Sequence, residues 1–233
     1  MKCVILQPSY IPWRGFFHLI QKADTFVFYD DVQYDKRGWR NRNRIKTANG
    51  SLWLTVPVFN RGFQLNQTPI NEIKINNEEE WAKKHLLSIQ YAYSKAPFFK
   101  EYFPLVEEFF NNVPEYLADF TIETTIKLAS ELGITQTKFL RSSSLQVEGQ
   151  KTDRLIAVLK KIGATHYISG PAAKDYIENE KFQDAGITLE YMKYDYDEYP
   201  QLYPPFDNQV SIIDLLFMTG KDAPKYIWKD AVE

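Results

Sequence analysis

Apolar and polar positions along this chain switch between a strand-like period and a helical one, and the switches outline its elements. Residues 2–7, Lys-Cys-Val-Ile-Leu-Gln, are almost continuously apolar, as in a strand covered on both faces of a parallel sheet. Pro8 and Pro12 stop that run, Gly15 permits a tight turn or close backbone approach, and Phe16, Leu19, Ile20 and Ala23 then recur at helical spacing. Residues 25–32 form a second strand pattern that ends in Asp30-Asp31. Strand, helix, strand predicts a βαβ unit, whose ligands bind beside the carboxyl ends of the strands. Residues 7–15 and 30–36 are therefore expected at one mouth.

Residues 44–58 carry a hairpin signal, two strand-like runs around Asn49-Gly50, which suits a type I′ turn. Residues 59–67 read as a surface loop and 70–75 as an alternating edge strand. The period then becomes helical over 78–94, 98–112 and 114–132, a helical insert or subdomain closed by Gly133, whose aromatics at helical spacing predict packing. Strand alternation resumes at 135–141. A helix follows over 151–162, with Thr152 or Asp153 as N-cap and Gly163 as its stop. Residues 165–170 predict a strand, Pro171 a helix start, 187–194 a final strand, and 209–219 and 223–230 two closing helices. The aromatic stretch 195–205 reads as a packed connection or a lid. The fold class that emerges is α/β, a three-layer, Rossmann-like, mostly parallel sheet with a β-hairpin and a helical insert. Residues 1–76 and 134–233 make the core domain and 77–133 the insert.

Composition narrows the function classes. With 233 residues and 44% hydrophobic content, the chain can bury a substantial core. A net charge of -2 gives no global attraction to nucleic acid or anionic membrane, so DNA is not an expected partner and any phosphate must be held by a local cluster. No apolar segment approaches the roughly 20 residues of a membrane span, and the N-terminus has no signal-peptide pattern, so a cytoplasmic location is expected. The single cysteine, Cys3, excludes an internal disulfide and lies in the first strand pattern. Three dispersed histidines give no zinc signature, and no Walker loop, dinucleotide fingerprint or nucleophile elbow is present.

Several segments together resemble the WbqC-like family, bacterial proteins often encoded among genes for O-antigen and other surface polysaccharides. They are Gln7-Pro8-x-Tyr10-x-Pro12-Trp13-x-Gly15-x-Phe17, Ala23-Asp24 through Asp31-x-Gln33, Trp39-x-Asn41-Arg42 with Ile45-Lys46, Tyr167-x-Ser169-Gly170 and Ser211-Ile212-Ile213-Asp214. The resemblance implies a place in surface-polysaccharide assembly. The front turn also resembles the start of nucleotidylyltransferases, but the positions of that superfamily's His-x-Gly-His motif hold Trp13-Arg14-Gly15-Phe16.

Four constellations carry candidate chemistry. Gln7, Tyr10 and Trp13 would shape a pocket, with Arg14 and the backbone at Gly15 holding an anion at a helix start and His18 nearby. Asp30, Asp31 and Gln33 at a strand end offer a general base, a sugar-hydroxyl acceptor or a magnesium ligand. The basic run Lys36, Arg37, Arg40, Arg42, Arg44 and Lys46 would place Arg40 to Lys46 on one extended face to hold phosphate, with Trp39 to stack on a ring and Asn41 beside it. His85, on the first insert helix, offers a second proton acceptor. The resemblance adds Ser169 and Gly170. The resemblance of the front turn to nucleotidyl-transferring folds implies a transferase, moving an acyl or aminoacyl group to an amino sugar through a nucleotide-activated substrate or else moving a nucleotidyl group. Asp31 or His85 would be its base, a nucleotide or nucleotide-sugar its small-molecule partner, and ATP with magnesium the cofactors to test. The competing class is a non-catalytic binding protein for a phosphorylated ligand or an assembly partner.

Overall fold

A computed structural model describes residues 1–36, 38–59 and 67–228. Five strands, β1 (Lys2–Leu6), β2 (Thr25–Phe28), β5 (Lys138–Arg141), β6 (His166–Ser169) and β7 (Thr188–Tyr191), form one sheet in the order β5-β2-β1-β6-β7. Every pairing in it is parallel. The chain winds outward from β1 through β2 to β5, then returns to β1's other side and winds through β6 to β7. The gap between the ends of β1 and β6 is therefore the topological switch point where ligands of open α/β sheets bind.

Alternation along the strands sorts the core into two layers. Val4, Phe26, Phe28 and Ile168 share one apolar core with α1 (Arg14–Lys22), α2 (Trp81–Tyr93), α3 (Phe99–Asn111), α4 (Leu117–Glu131) and α7 (Ile212–Thr219). Cys3, Ile5, Val27 and Tyr167 face the other way, onto α5 (Lys151–Ile162) and α6 (Asn179–Asp184). Cys3 is fully buried, and burial pushes its thiol up to about 12, so it acts as apolar filler. The aromatics of 81–131 mostly pack as their spacing predicts, Phe120 stacking on Tyr10, although Tyr91 stands out in solvent.

β3 (Arg42–Thr47) and β4 (Gly50–Thr55) form the separate antiparallel hairpin. Its turn differs from the expected type I′. Thr47 pairs with Gly50, so Ala48 and Asn49 are the loop residues, and of the three only Gly50 has positive φ, at 101°. A type I′ turn needs positive φ at both central residues, and here the Thr47 hydroxyl instead accepts from the Asn49 N–H. Residues 70–75 are not a strand but a 3₁₀ turn over Ile70–Glu72 with isolated bridges, because Ile70, Ile73 and Ile75 are all drawn into the core. α5 starts without a side-chain cap, since Thr152 Oγ1 accepts from the Glu178 N–H instead. Pro171–Asp175 and Gly220–Tyr226 are 3₁₀ segments where helices were expected. Most of the 59–67 loop, Arg37 and the end of the last predicted helix lie outside the described residues.

Candidate functional site

A cavity of about 1300 Å³ opens at the switch point. Leu6 and Gln7 at the end of β1 and Gly170 after β6 form its floor, where the fold predicts a ligand. Typical small-molecule sites enclose roughly 300–1,000 Å³, so this one has room for a ligand of several rings.

One wall is aromatic. The Trp13 indole lies across Gly15, where an added Cβ would fall 2.3 Å from its ring. A side chain at position 15 would have to displace the indole, which covers the first turn of α1, where Rossmann folds usually place a phosphate. Tyr194 and Tyr196 meet Trp13 edge-on, with centroids 4.9 and 6.1 Å away. His18 Nδ1 contacts the Tyr196 hydroxyl at 3.0 Å; burial, then Lys22, lowers its pKa to about 4, so it serves as a neutral support for that wall.

Cations occupy other parts of the lining. Arg14 is only 4% exposed and donates to the carbonyls of Asp197 and Tyr226, while its guanidinium lies 4.6 Å from the Tyr196 ring centre. Its Nε has no partner. Arg40 donates to the carbonyls of Gln7 and Pro8, its Nε is likewise unpartnered, and burial lowers its pKa to about 10. Lys151 is the third, at the first turn of α5. Its φ of 49° and that of Ile11, 39°, are left-handed conformations which cost non-glycine residues about 1–3 kcal/mol and gather at functional sites. None of these three cations makes an ion pair with a described residue.

The other sequence candidates lie elsewhere. Asp30 is fully buried and accepts from Arg141 Nε at 2.6 Å, from both Ser142 and Ser143 hydroxyls, and from the Ser143 N–H. Asp31 pairs with Arg154 at 2.6 Å and accepts from Ser142 Oγ. Together they join the ends of β2 and β5 to α5 and, through Arg141 and Asp119, to α4. Neither lines the cavity. His85 is buried against Trp81 and Phe110, with Nδ1 2.9 Å from the Tyr10 hydroxyl; burial lowers its pKa to about 4, so it is a neutral core residue away from the cavity. Tyr10 is held there with it.

The basic face expected over Arg40 to Lys46 forms on β3 with Arg42, Arg44 and Lys46 alone, Arg40 preceding the strand, and it turns mainly on the chain itself. Arg42 lies over Trp53, Arg44 donates to Gln209 and pairs loosely with Asp207, and buried Lys46 donates to the Pro205 carbonyl. Asn41 bonds across the hairpin to the Val56 carbonyl. Trp39 stacks on Trp53 and reaches the cavity rim, while Gln33 bridges to Pro69, Lys36 is exposed, and Ser169 Oγ donates to Tyr167. Of the predicted site residues, the cavity therefore collects Gln7, Trp13, Arg14, Trp39, Arg40 and Gly170. It adds Lys151, Asp195, Tyr194 and Tyr196, which no local motif marked; the aromatic stretch after β7 was the one available signal.

Fold and cavity define an α/β protein of Rossmann strand order with a ligand cavity at its switch point. The chain belongs to the WbqC-like protein family, whose sequence pattern matches residues 7–226. A Mycobacterium tuberculosis (strain ATCC 25618 / H37Rv) protein named "Uncharacterized protein Rv1507c" is 40% identical over 239 aligned residues, covering 97% of each chain. No solved structure matches.

Proposed function

We propose that this protein binds a nucleotide-linked or otherwise phosphorylated sugar in the switch-point cavity and serves the assembly of a bacterial surface polysaccharide such as O-antigen. The reaction we assign is transfer of an acyl or aminoacyl group to an amine on that sugar: the amide C–N bond forms, the activating group leaves, and the amine's proton passes to a base. ATP and magnesium are the activating system to test. One observation carries the ligand class: three cations that form no ion pair with a described residue share a cavity with a wall of aromatic rings. Such cations favour a bound anion, most strongly at buried Arg14 and half-buried Arg40 and less at exposed Lys151, and the rings suit a base or pyranose face. Family membership supports the pathway.

A non-catalytic binding role has its own support, because no histidine lines the cavity and Trp13 and Phe16 stand where nucleotidyl-transferring enzymes carry theirs. Calorimetric titration with UDP-, GDP- and dTDP-sugars, with and without magnesium, tests the ligand class. Binding that weakens about fivefold in Lys151→Gln, as expected for loss of one charged contact at an exposed lysine, supports it. Absence of binding across the panel, or indifference to Lys151→Gln, rejects it. Mass-spectrometric detection of an acylated amino sugar then separates enzyme from binding protein.

A further inference from the structure

The charged groups around the cavity are of two kinds. Arg14 and Arg40 are tied to backbone carbonyls and serve as fixed parts of the wall. Lys151 and Asp195 have no hydrogen-bond or ion-pair partner among the described residues, so their charged ends are unengaged. Asp195 is also the one carboxylate among the lining residues described. It sits in the chain between Tyr194 and Tyr196, whose rings stand edge-on to Trp13. A carboxylate in the lining suits a cation, which gains a charge-assisted hydrogen bond there. The cations elsewhere in the lining suit an anion. A ligand that satisfies both needs a negative group and a separate positive one.

We infer that the cavity has two charged ends, with Asp195 receiving a protonated amino group on the ligand's sugar ring while Lys151 holds its phosphate. The inference rests on the phosphorylated-sugar reading above and adds a residue for the amine. Asp195 acts here by binding and orienting the amine before any transfer.

Glucosamine 1-phosphate and glucose 1-phosphate share a phosphate and a pyranose and differ by an ammonium for a hydroxyl. Titrating both into the full-length protein at about pH 6.5, where a sugar amine is protonated, isolates the Asp195 end. The amino sugar is expected to bind about fivefold more tightly, a modest ratio because Asp195 is exposed. In Asp195→Asn the ratio should fall to about one, with the affinity for glucose 1-phosphate kept. Equal affinities in the unaltered protein, or a preference that survives in Asp195→Asn, overturn the role of Asp195 and leave the phosphate reading standing. If neither sugar phosphate binds, the phosphate reading fails and this inference falls with it.

Discussion

The β3–β4 hairpin and the switch-point cavity both gather cations, and they use them in opposite ways. On the hairpin, Arg42 is stacked on Trp53, Arg44 bonds Gln209 and Asp207, and Lys46 bonds the Pro205 carbonyl. In the cavity, Arg14, Arg40 and Lys151 form no ion pair with a described carboxylate, although Asp197 and Asp35 act on Arg14 and Arg40 from farther away. The hairpin's charges thus hold down the 205–211 segment, helped by Ser51 donating to Asp207 and the Ser211 N–H donating to the Arg44 carbonyl. The denser run of charge is the structural one. A cation already matched by its own chain gains little from a ligand, whereas one without a counterion gains most from an anion.

The largest expected effect would break the hairpin side of this comparison. Asp214 is fully buried and accepts from Tyr93, Tyr199 and Gln201, and Tyr93 also receives the Lys46 N–H. Asp214→Ala leaves two tyrosine hydroxyls without an acceptor and should cost about 2–4 kcal/mol in urea denaturation. It should weaken ligand binding only through the displaced tail.

Acid should loosen the hairpin's seat on α2 next. His85, which also hydrogen-bonds the Thr55 backbone on β4, has a folded pKa depressed to about 4 by burial, against 6.5 when unfolded. The unfolded chain therefore binds the proton first as pH falls. The stability this neutral histidine contributes is present above about pH 6.5 and is lost progressively down to about pH 4, a change of roughly 3 kcal/mol. Urea midpoints across that range should fall, and the His85→Gln variant should have a shallower pH slope.

Two substitutions sharpen the cavity side. Gly15→Ala places a methyl against the Trp13 indole and should cost about 1–3 kcal/mol while weakening ligand binding, because the ring must move off α1. Lys151→Gly should separate the two properties by sign. Relief of the left-handed strain makes the protein about 0.5–1 kcal/mol more stable, yet loss of the amine weakens phosphate-ligand binding about fivefold. Lys46→Ala should do the reverse on a smaller scale, costing about 1 kcal/mol of stability with ligand affinity nearly unchanged. Matching effects for Lys46 and Lys151 would erase the distinction between the two regions.

Much of the scaffold was legible before folding. The apolar run at 2–7, the helical spacing after Gly15, the three-helix stretch and the stop at Gly163 all reappear as elements, since each reflects a local backbone period meeting one or two buried faces. Boundaries failed where a distant partner intervened. The core drew in all three isoleucines of 70–75, and the Glu178 N–H engaged Thr152. The site was less legible for the same reason. Asp30 and Asp31 look like free strand-end acids in sequence, and only Arg141, Arg154 and the serines at 142–143 reveal where their charges go.

The order of apolar runs and turns by itself determined a parallel α/β sheet with its mouth beside Gln7, because strand and helix periods are written in neighbouring residues; Gly170 was marked only by the family resemblance. That order also determined that Trp13 and Arg14 stand at that mouth. Tertiary structure decided which charges remain available there. Lys151 and Asp195 come from segments far apart in the chain, and the hairpin's cations are taken up by a tail more than 150 residues later, as the contact of Ser51 with Asp207 at a separation of 156 residues illustrates. A side chain's partners depend on where the whole chain returns, and local sequence carries no record of that.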